Sequence, residues 1–221
     1  MKKTCSFVVV VALALVAQTV NAQIISCDFA SETDASIRFT GTGRTIEFPN
    51  TNTYDFVITA TTSPNLGGLQ GNIGGTFLVG PITTVGSMEQ ASVTTADGTF
   101  SVYDGSSIPL TANLDWKDIQ VFYGLVGGLN VTGIANLNNV SYSGSNSDLL
   151  GIKNGSDQTV ILTFQFSLAN KHSLTELMVD GQVNSTSYSG SLSAVPEPSS
   201  CVLLGMATLG LLAYAWRRRQ G

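Results

Sequence analysis

Apolar and polar residues alternate most regularly in the segment 158–168. Every second residue from Val160 to Leu168 is apolar, and the residues between them are mostly polar. Successive side chains of a β-strand point to opposite faces of its sheet. This period of two therefore predicts a strand with one buried face.

Shorter segments with the same pattern cover most of the chain between residues 36 and 195. Asp97-Gly98 lies between two alternating runs and predicts a β-hairpin, and Gly127-Gly128 and Asn154-Gly155 indicate further turns. The other predicted strands are Ile37–Phe39, Thr45–Phe48, Tyr54–Thr61, Thr76–Val79, Ser92–Thr95, Thr99–Tyr103, Leu110–Trp116, Ile119–Tyr123, Asn130–Ile134, Val140–Ser143, Gln182–Ser185 and Tyr188–Leu192.

Two short helical segments interrupt the strands. Ser173 and Glu176 have the spacing of a capping box, and Ser147-Asp148 can begin a second short helix. The predicted fold class is therefore all-β. We expect an antiparallel β-sandwich or jelly-roll-like domain over residues 23–194, with one or two short helices, an N-terminal signal helix and one C-terminal transmembrane helix.

Residues 1–22 have the pattern of a secretory signal peptide. Lys2 and Lys3 precede an apolar run from Phe7 to Ala17, which is too short to span a bilayer comfortably. Small residues before Gln23 predict cleavage by signal peptidase after Ala22.

A lipoprotein signal is an open alternative at the same end of the chain. Ile24-Ile25-Ser26-Cys27 resembles a lipobox, whose cysteine is acylated after cleavage. Several polar residues separate this segment from the apolar run, whereas a lipobox normally follows such a run directly. Cleavage after Ala22 is therefore the preferred prediction.

The C-terminal segment 195–221 combines three features in a fixed order. Pro196-Glu197-Pro198 interrupts regular structure because proline lacks a backbone donor and restricts its neighbours. Residues 199–216 are uncharged and would rise about 27 Å as a helix, close to the hydrocarbon thickness of a bilayer. Arg217, Arg218 and Arg219 follow and favour a cytoplasmic end.

This order of joint, apolar helix and basic end resembles the PEP-CTERM sorting tail of bacterial envelope proteins. The resemblance implies that an exosortase, a membrane-embedded cysteine protease-transpeptidase, recognises Pro196, Glu197 and Pro198 and cleaves near them. It also implies a Gram-negative-type bacterium that makes exopolysaccharide. The expected location is the cell envelope, with membrane anchoring or release to the surface or extracellular matrix after processing.

Charge is distributed unevenly between the ends and the middle of the chain. The whole chain has a net charge of −5, but residues 23–195 contain five basic and fourteen acidic residues and so carry −9. Such a domain repels nucleic acid and other polyanions. Cys27 is the one cysteine between the two terminal segments, so no disulfide can form within the domain.

Motifs for catalysis and for cofactors are not found in the sequence. His172 is the single histidine, and there is no nucleophile elbow or phosphate-binding loop. Asp115 and Asp118 flank Trp116, but a glycosidase needs two carboxyl groups across a cleft. The prediction is a non-enzyme without cofactor or metal site, although a structural calcium ion at an aspartate-containing turn stays open.

Aromatic residues provide the one indication of a ligand. Trp116 and Tyr123 lie in predicted strands and could stack on sugar rings if they faced solvent. The preferred prediction is a non-catalytic structural or adhesive protein of the cell surface or matrix. The alternatives are a secreted carbohydrate-binding module and an extracellular hydrolase.

Overall fold

The alternating segments form strands throughout the part of the chain that the computed structural model describes. This part comprises residues 24–49, 53–106, 108–122, 129–166 and 173–196. Its mostly antiparallel β architecture with few helices is the predicted one. The strands are β1 Ile25–Ser31, β2 Ile37–Thr40, β3 Thr45–Glu47, β4 Phe56–Thr61, β5 Gln70–Gly74, β6 Thr76–Val79, β7 Thr83–Val85, β8 Met88–Thr95, β9 Thr99–Tyr103, β10 Pro109–Phe122, β11 Leu129–Ser141, β12 Gly155–Phe166, β13 Val183–Thr186 and β14 Tyr188–Pro196; the helices are α1 Ser147–Lys153 and α2 Leu174–Leu177.

Eight of these strands form a closed circuit of hydrogen-bonded neighbours. Their order is β10, β11, β12, β14, β1, β4, β5 and β9, and β9 pairs with β10 again. A strand inside such a circuit has a neighbour on each side, so its backbone donors and acceptors have partners within the sheet. The circuit therefore holds the first and last strands of the domain, β1 and β14, between other strands.

A second set of strands continues from β8 in the order β6, β3, β2 and β13. Its aromatic side chains meet those of the circuit. Phe77 of β6 lies 5.1 Å from Trp116 of β10, and Phe48, directly after β3, lies 5.2 Å from Tyr188 of β14, measured between ring centroids. Two strand sets that share such a core fit a β-sandwich.

Strand β10 joins two segments that the sequence predicted as separate strands. Its pairing with β11 shifts register between Trp116 and Asp118. Buried positions therefore change from Leu114 and Trp116 to Ile119 and Val121. A β-bulge adds one residue to a strand without ending it, which explains why the broken alternation suggested two strands.

The predicted hairpin at Asp97-Gly98 is wrong. Strands β8 and β9 do not pair with each other; both run antiparallel to β10, β8 beside residues 118–122 and β9 beside residues 109–113. The last residues of β8, 93–95, pair with β6 instead of β10. Two bonds tie this part of the chain to β10, from Leu114 N to Gly98 O and from Trp116 N to Thr95 Oγ1, both 2.9 Å.

Strand β1 was not among the predicted strands, which began at Ile37. It pairs with β14 on one side and with β4 on the other. Ile25, Cys27 and Phe29 are buried, whereas Ser26 and Asp28 are more exposed. The residues that resemble a lipobox therefore have the period of a strand with one buried face.

Both helices begin at capped residues. In α2 the Ser173 hydroxyl accepts a hydrogen bond from Glu176 N at 3.0 Å, as the capping box predicts. Glu89 of β8 supplies a further acceptor, to which Thr175 N and Oγ1 donate at 2.9 Å each. In α1 the N-cap is Asn146 rather than Ser147, and its side chain accepts hydrogen bonds from Asp148 N and Leu149 N.

Candidate functional site

A polar depression crosses the outer faces of β9, β10 and β11. It consists of two adjoining parts of about 590 and 330 Å³ that share Thr99, Asn113 and Asn139. We call it the polar trough and define it by Thr99, Ser101 and Tyr103 of β9, Thr111 and Asn113 of β10, and Asn138 and Asn139 of β11.

Strand register brings these residues together. Thr99 lies opposite Asn113 and Ser101 lies opposite Thr111 in the antiparallel pair of β9 and β10. Their chain neighbours, such as Phe100 and Ala112, point into the core. Residues that pair directly across an antiparallel ladder share a face, so the intervening polar residues form one continuous outer surface.

A β-bulge in β11 adds two asparagines to this surface. The pairing of β10 with β11 shifts register between Thr111 and Asn113, and Asn139 has a φ of 54°. Asn138 and Asn139 are consequently both exposed, although consecutive strand residues normally face opposite sides. The bulge thus turns a second amide side chain towards the trough.

Side chains of the polar trough are available to bind a ligand. Within the described part of the chain, Thr99, Ser101, Thr111, Asn113 and Asn139 take part in no side-chain hydrogen bond. Hydroxyl groups both donate and accept, and each amide side chain offers an acceptor and two donors. The trough therefore presents a dense set of uncharged hydrogen-bonding groups.

Two tyrosines stand at one end of the trough. Tyr103 is half-buried, lines the smaller part and packs against Tyr54 with ring centroids 5.0 Å apart and ring planes at 62°. An edge-to-face pair of this kind is a favourable aromatic contact. This contact fixes the orientation of the Tyr103 ring. Tyr103 pairs with Pro109 of the neighbouring strand β10.

Two carboxylates stand at the other end. Asp97 lines the larger part, and its Oδ1 accepts a hydrogen bond from Thr76 N at 2.9 Å. Asp115 forms an ion pair with Lys117 and accepts a hydrogen bond from the Asn138 side chain at 3.4 Å. This end is acidic, which opposes the binding of anionic ligands.

The prediction that Trp116 contacts sugar at the surface is wrong. Its side chain is fully buried, and its Nε1 donates a hydrogen bond to Asp118 O at 2.6 Å. It packs against Phe77 and Phe48. The even-numbered residues of this part of β10 face the core, so Trp116 serves packing and presents no ring face to a ligand.

Several predicted residues lie outside the described ranges. They are Tyr123, His172, the cleavage site at Ala22, the sorting residues Glu197 and Pro198, the apolar segment 199–216, and Arg217, Arg218 and Arg219. Pro196 is the last residue of β14. No helix within the described ranges is sufficiently long and apolar to cross a membrane.

Cys27 is buried in the middle of β1. Only 2% of its surface is exposed, and burial together with the charge of Asp28 raises the pKa of its thiol to about 12. The residue lies between Leu192 of β14 and Thr61 of β4. Acylation of this sulfur would have to remove it from the core, which argues against the lipobox alternative.

Asp55 is the most enclosed acidic residue of the described domain. Its Oδ2 accepts a hydrogen bond from Ile73 N at 3.2 Å, while Oδ1 is buried with no partner among the described residues. Burial raises the pKa of this carboxyl, and the Ile73 bond lowers it in part.

A second acid has the opposite shift. Hydrogen bonds from Ser106 and then from Tyr142 hold the pKa of Asp104 below its ordinary value. Within the described ranges, no group of three or more His, Cys, Asp and Glu residues is arranged to hold a metal ion. Asp55 ties a connecting segment to β5, and Asp104 ties together the segments that follow β9 and β11.

The two ends of the domain lie side by side. Ile25 in β1 pairs with Ala194 in β14, and both side chains are buried. Val195 and the predicted sorting residue Pro196 are the last two residues of β14. The predicted sorting residues therefore begin at the end of a strand of the circuit.

Comparison with known proteins identifies this C-terminal segment. Residues 194–219 match the family model of the PEP-CTERM protein-sorting motif. Neither a curated protein nor a solved structure shows significant similarity to the chain. Joint, apolar stretch and basic end thus match a PEP-CTERM protein-sorting motif, as the resemblance of the sequence implied. The motif supports sorting of an exported, envelope-associated protein through an exosortase-type system.

Proposed function

We propose that this chain is a non-catalytic structural or adhesive protein of the cell surface or extracellular matrix. The observation that carries the proposal is the PEP-CTERM motif at residues 194–219. A protein delivered by such a system acts outside the cytoplasm. The β domain is then the part of the chain that is displayed.

The properties of the domain support this role. Its stability rests on a buried core without a disulfide, and its surface carries small uncharged residues and a net negative charge. The jelly-roll arrangement that we propose for the sandwich would suit display, because its strands need no helical layer to cover them. The acidic surface also supports the exclusion of nucleic acid as a partner.

Processing at both ends completes the proposal. Signal peptidase cleaves after Ala22, and the apolar segment 199–216 holds the protein in the membrane while Arg217, Arg218 and Arg219 stay on the cytoplasmic side. The exosortase recognises Pro196, Glu197 and Pro198. The domain is then retained at the envelope or released to the matrix, where exopolysaccharide is its expected partner.

Expression in otherwise identical hosts with and without an exosortase tests the sorting step. Intact mass should show loss of the tail in the exosortase host alone. The triple variant P196A/E197A/P198A should keep its tail in both hosts. A tail of the same mass in both hosts for the unaltered chain would refute the proposal.

The polar trough favours carbohydrate binding as a second, compatible function. Beside a tyrosine it presents hydroxyl and amide groups that have no side-chain hydrogen bond to any described residue, and such groups recognise sugars in proteins. The hydrolase alternative relied on Asp115 and Asp118. Asp115 is engaged by Lys117 and Asn138 in the structure, so this alternative has less support.

A further inference from the structure

We propose that the polar trough binds a polysaccharide of uncharged sugar residues. The proposal rests on the proposed extracellular role, because a matrix or surface protein meets such chains outside the cell. It names a ligand class and a site that differ from the predicted contact at Trp116.

The shape of the trough suits an extended ligand. Its two parts share Thr99, Asn113 and Asn139 and so form one continuous depression. Along β9 alone, the distance from Thr99 to Tyr103 is about 13 Å, since a strand rises about 3.3 Å per residue. A linear chain of several sugars lying along β9 would contact the trough over its length.

The chemistry of the trough suits sugar hydroxyl groups. Asn113 and Asn139 can each donate and accept, and the hydroxyl groups of Thr99, Ser101 and Thr111 can do either. None of the five takes part in a side-chain hydrogen bond within the described part of the chain. When a sugar binds, these groups would replace their hydrogen bonds to water with hydrogen bonds to the sugar, and no hydrogen bond within the described part of the protein would break.

Tyr103 supplies the apolar contact that sugar recognition also needs. The C–H groups on one face of a pyranose ring pack on an aromatic ring, and an orientation fixed in advance reduces the entropy lost on binding. Tyr54 holds the Tyr103 ring in such an orientation. We therefore assign the aromatic contact to Tyr103, which lines a surface depression, and not to Trp116, which lies in the core.

Charge decides between classes of polysaccharide. Asp97 and Asp115 stand at one end of the trough, and the domain between the terminal segments carries a net −9. The basic residue near this end, Lys117, is paired with Asp115. Uronate-rich or sulfated chains would be repelled, whereas an uncharged chain binds without an electrostatic penalty.

Binding of the full-length chain in detergent to cellohexaose, laminarihexaose and an alginate oligomer tests the proposal. Calorimetry should detect binding of at least one neutral hexasaccharide and none of alginate. N113A and Y103A should each weaken that binding at least tenfold. T40A and S185A, which change polar residues of the other strand set, should leave it unchanged.

Folding is controlled separately from binding. Asn113 is exposed, and its side chain forms no hydrogen bond with the described residues, so N113A keeps the test valid if Y103A does not fold. Lack of binding to both neutral chains at millimolar concentration would overturn the proposal, as would equal binding of alginate or unchanged binding by N113A. If the exosortase host processes the tail but the binding test fails, only the proposal of sugar binding is contradicted. If the chain binds a neutral hexasaccharide but its tail is not processed, only the sorting role is contradicted.

Discussion

Asp55 and Asp104 show at the scale of single residues how surroundings determine the behaviour of a side chain. Both are carboxylates in short connecting segments, yet burial raises the pKa of Asp55 whereas hydrogen bonds from Ser106 and Tyr142 lower the pKa of Asp104. The sequence placed Asp55 in the predicted strand Tyr54–Thr61 and gave no indication that the pKa values of the two acids would differ. Their effects on stability must therefore depend on pH in opposite directions.

Asparagine at position 55 should reveal the cost of ionising a buried acid. Because the folded-state pKa of Asp55 is raised, its contribution to stability is present below the ordinary value of 3.8 and is lost as pH rises through the folded-state pKa. Urea unfolding, followed by circular dichroism, should show that D55N gains stability relative to the unaltered protein between pH 4 and pH 7.

The matched control is D104N. The pKa of Asp104 is lowered, so its contribution is present above the ordinary value and is lost as pH falls below it. D104N should be less stable than the unaltered protein at pH 7, and the difference should shrink on acidification. Parallel pH profiles for D55N and the unaltered protein would contradict the assignment of a raised pKa to Asp55.

Strands β8, β9 and β10 show at the scale of elements why a turn signal can mislead. Asp97-Gly98 has the composition of a tight hairpin, but the long strand β10 offers one edge to both β8 and β9. The chain follows that edge instead of turning back on itself, and β9 pairs with β5 on its other side. Gly98 is needed because of a close approach: an added Cβ would lie 2.1 Å from Leu114 O.

Alanine at position 98 tests whether Gly98 is needed for a turn or for the close approach to Leu114 O. G98A should lower the free energy of unfolding by about 3 kcal/mol, because the Cβ cannot be accommodated without moving β10. G86A is the control: Gly86 has a φ of +61° and open space around it, so alanine there should cost only about 1 kcal/mol. Free energies of unfolding will be measured by urea unfolding. Equal losses in G98A and G86A would contradict the close approach and would favour an ordinary turn at Gly98.

At the scale of the whole molecule, the match to the sorting motif begins within the last strand of the domain. Strand β14 lies between β12 and β1 in the circuit and supplies the buried residues Tyr188, Leu192 and Ala194. Pro196 ends this strand. Tail processing at or beyond Pro196 would leave the core intact, whereas cleavage earlier in the strand would remove part of it.

Two truncated chains test this boundary. A chain that ends at Pro196 should unfold cooperatively with a midpoint close to that of the full chain. A chain that ends at Ser187 should not fold, because each large buried side chain it lacks costs about 2–5 kcal/mol against a typical total of about 5–15 kcal/mol. Cooperative unfolding of the shorter chain, measured by circular dichroism, would show that β14 is dispensable.

Much of the local structure was predictable because it depends on neighbours in sequence. The alternation in the segments of β2, β6 and β9 and the cap at Ser173 were read correctly, since each depends on residues a few positions apart. Partnership between distant strands was not predictable. The polar residues of β9 and β10 were visible as alternating positions, but nothing in the sequence indicated that they would share a face with a bulge in β11.

The β-rich class and the sorting tail could be recognised from the sequence, because alternation and the order of joint, apolar stretch and basic end are local properties. The remaining features were set only in the folded domain. Folding buries Trp116 and places Cys27 in the core. Strands β8 and β9 pair with β10 instead of forming the predicted hairpin, and Tyr103 lies beside the polar side chains of β9, β10 and β11. These outcomes depend on which strands become neighbours, and that choice is made by the burial of a common core.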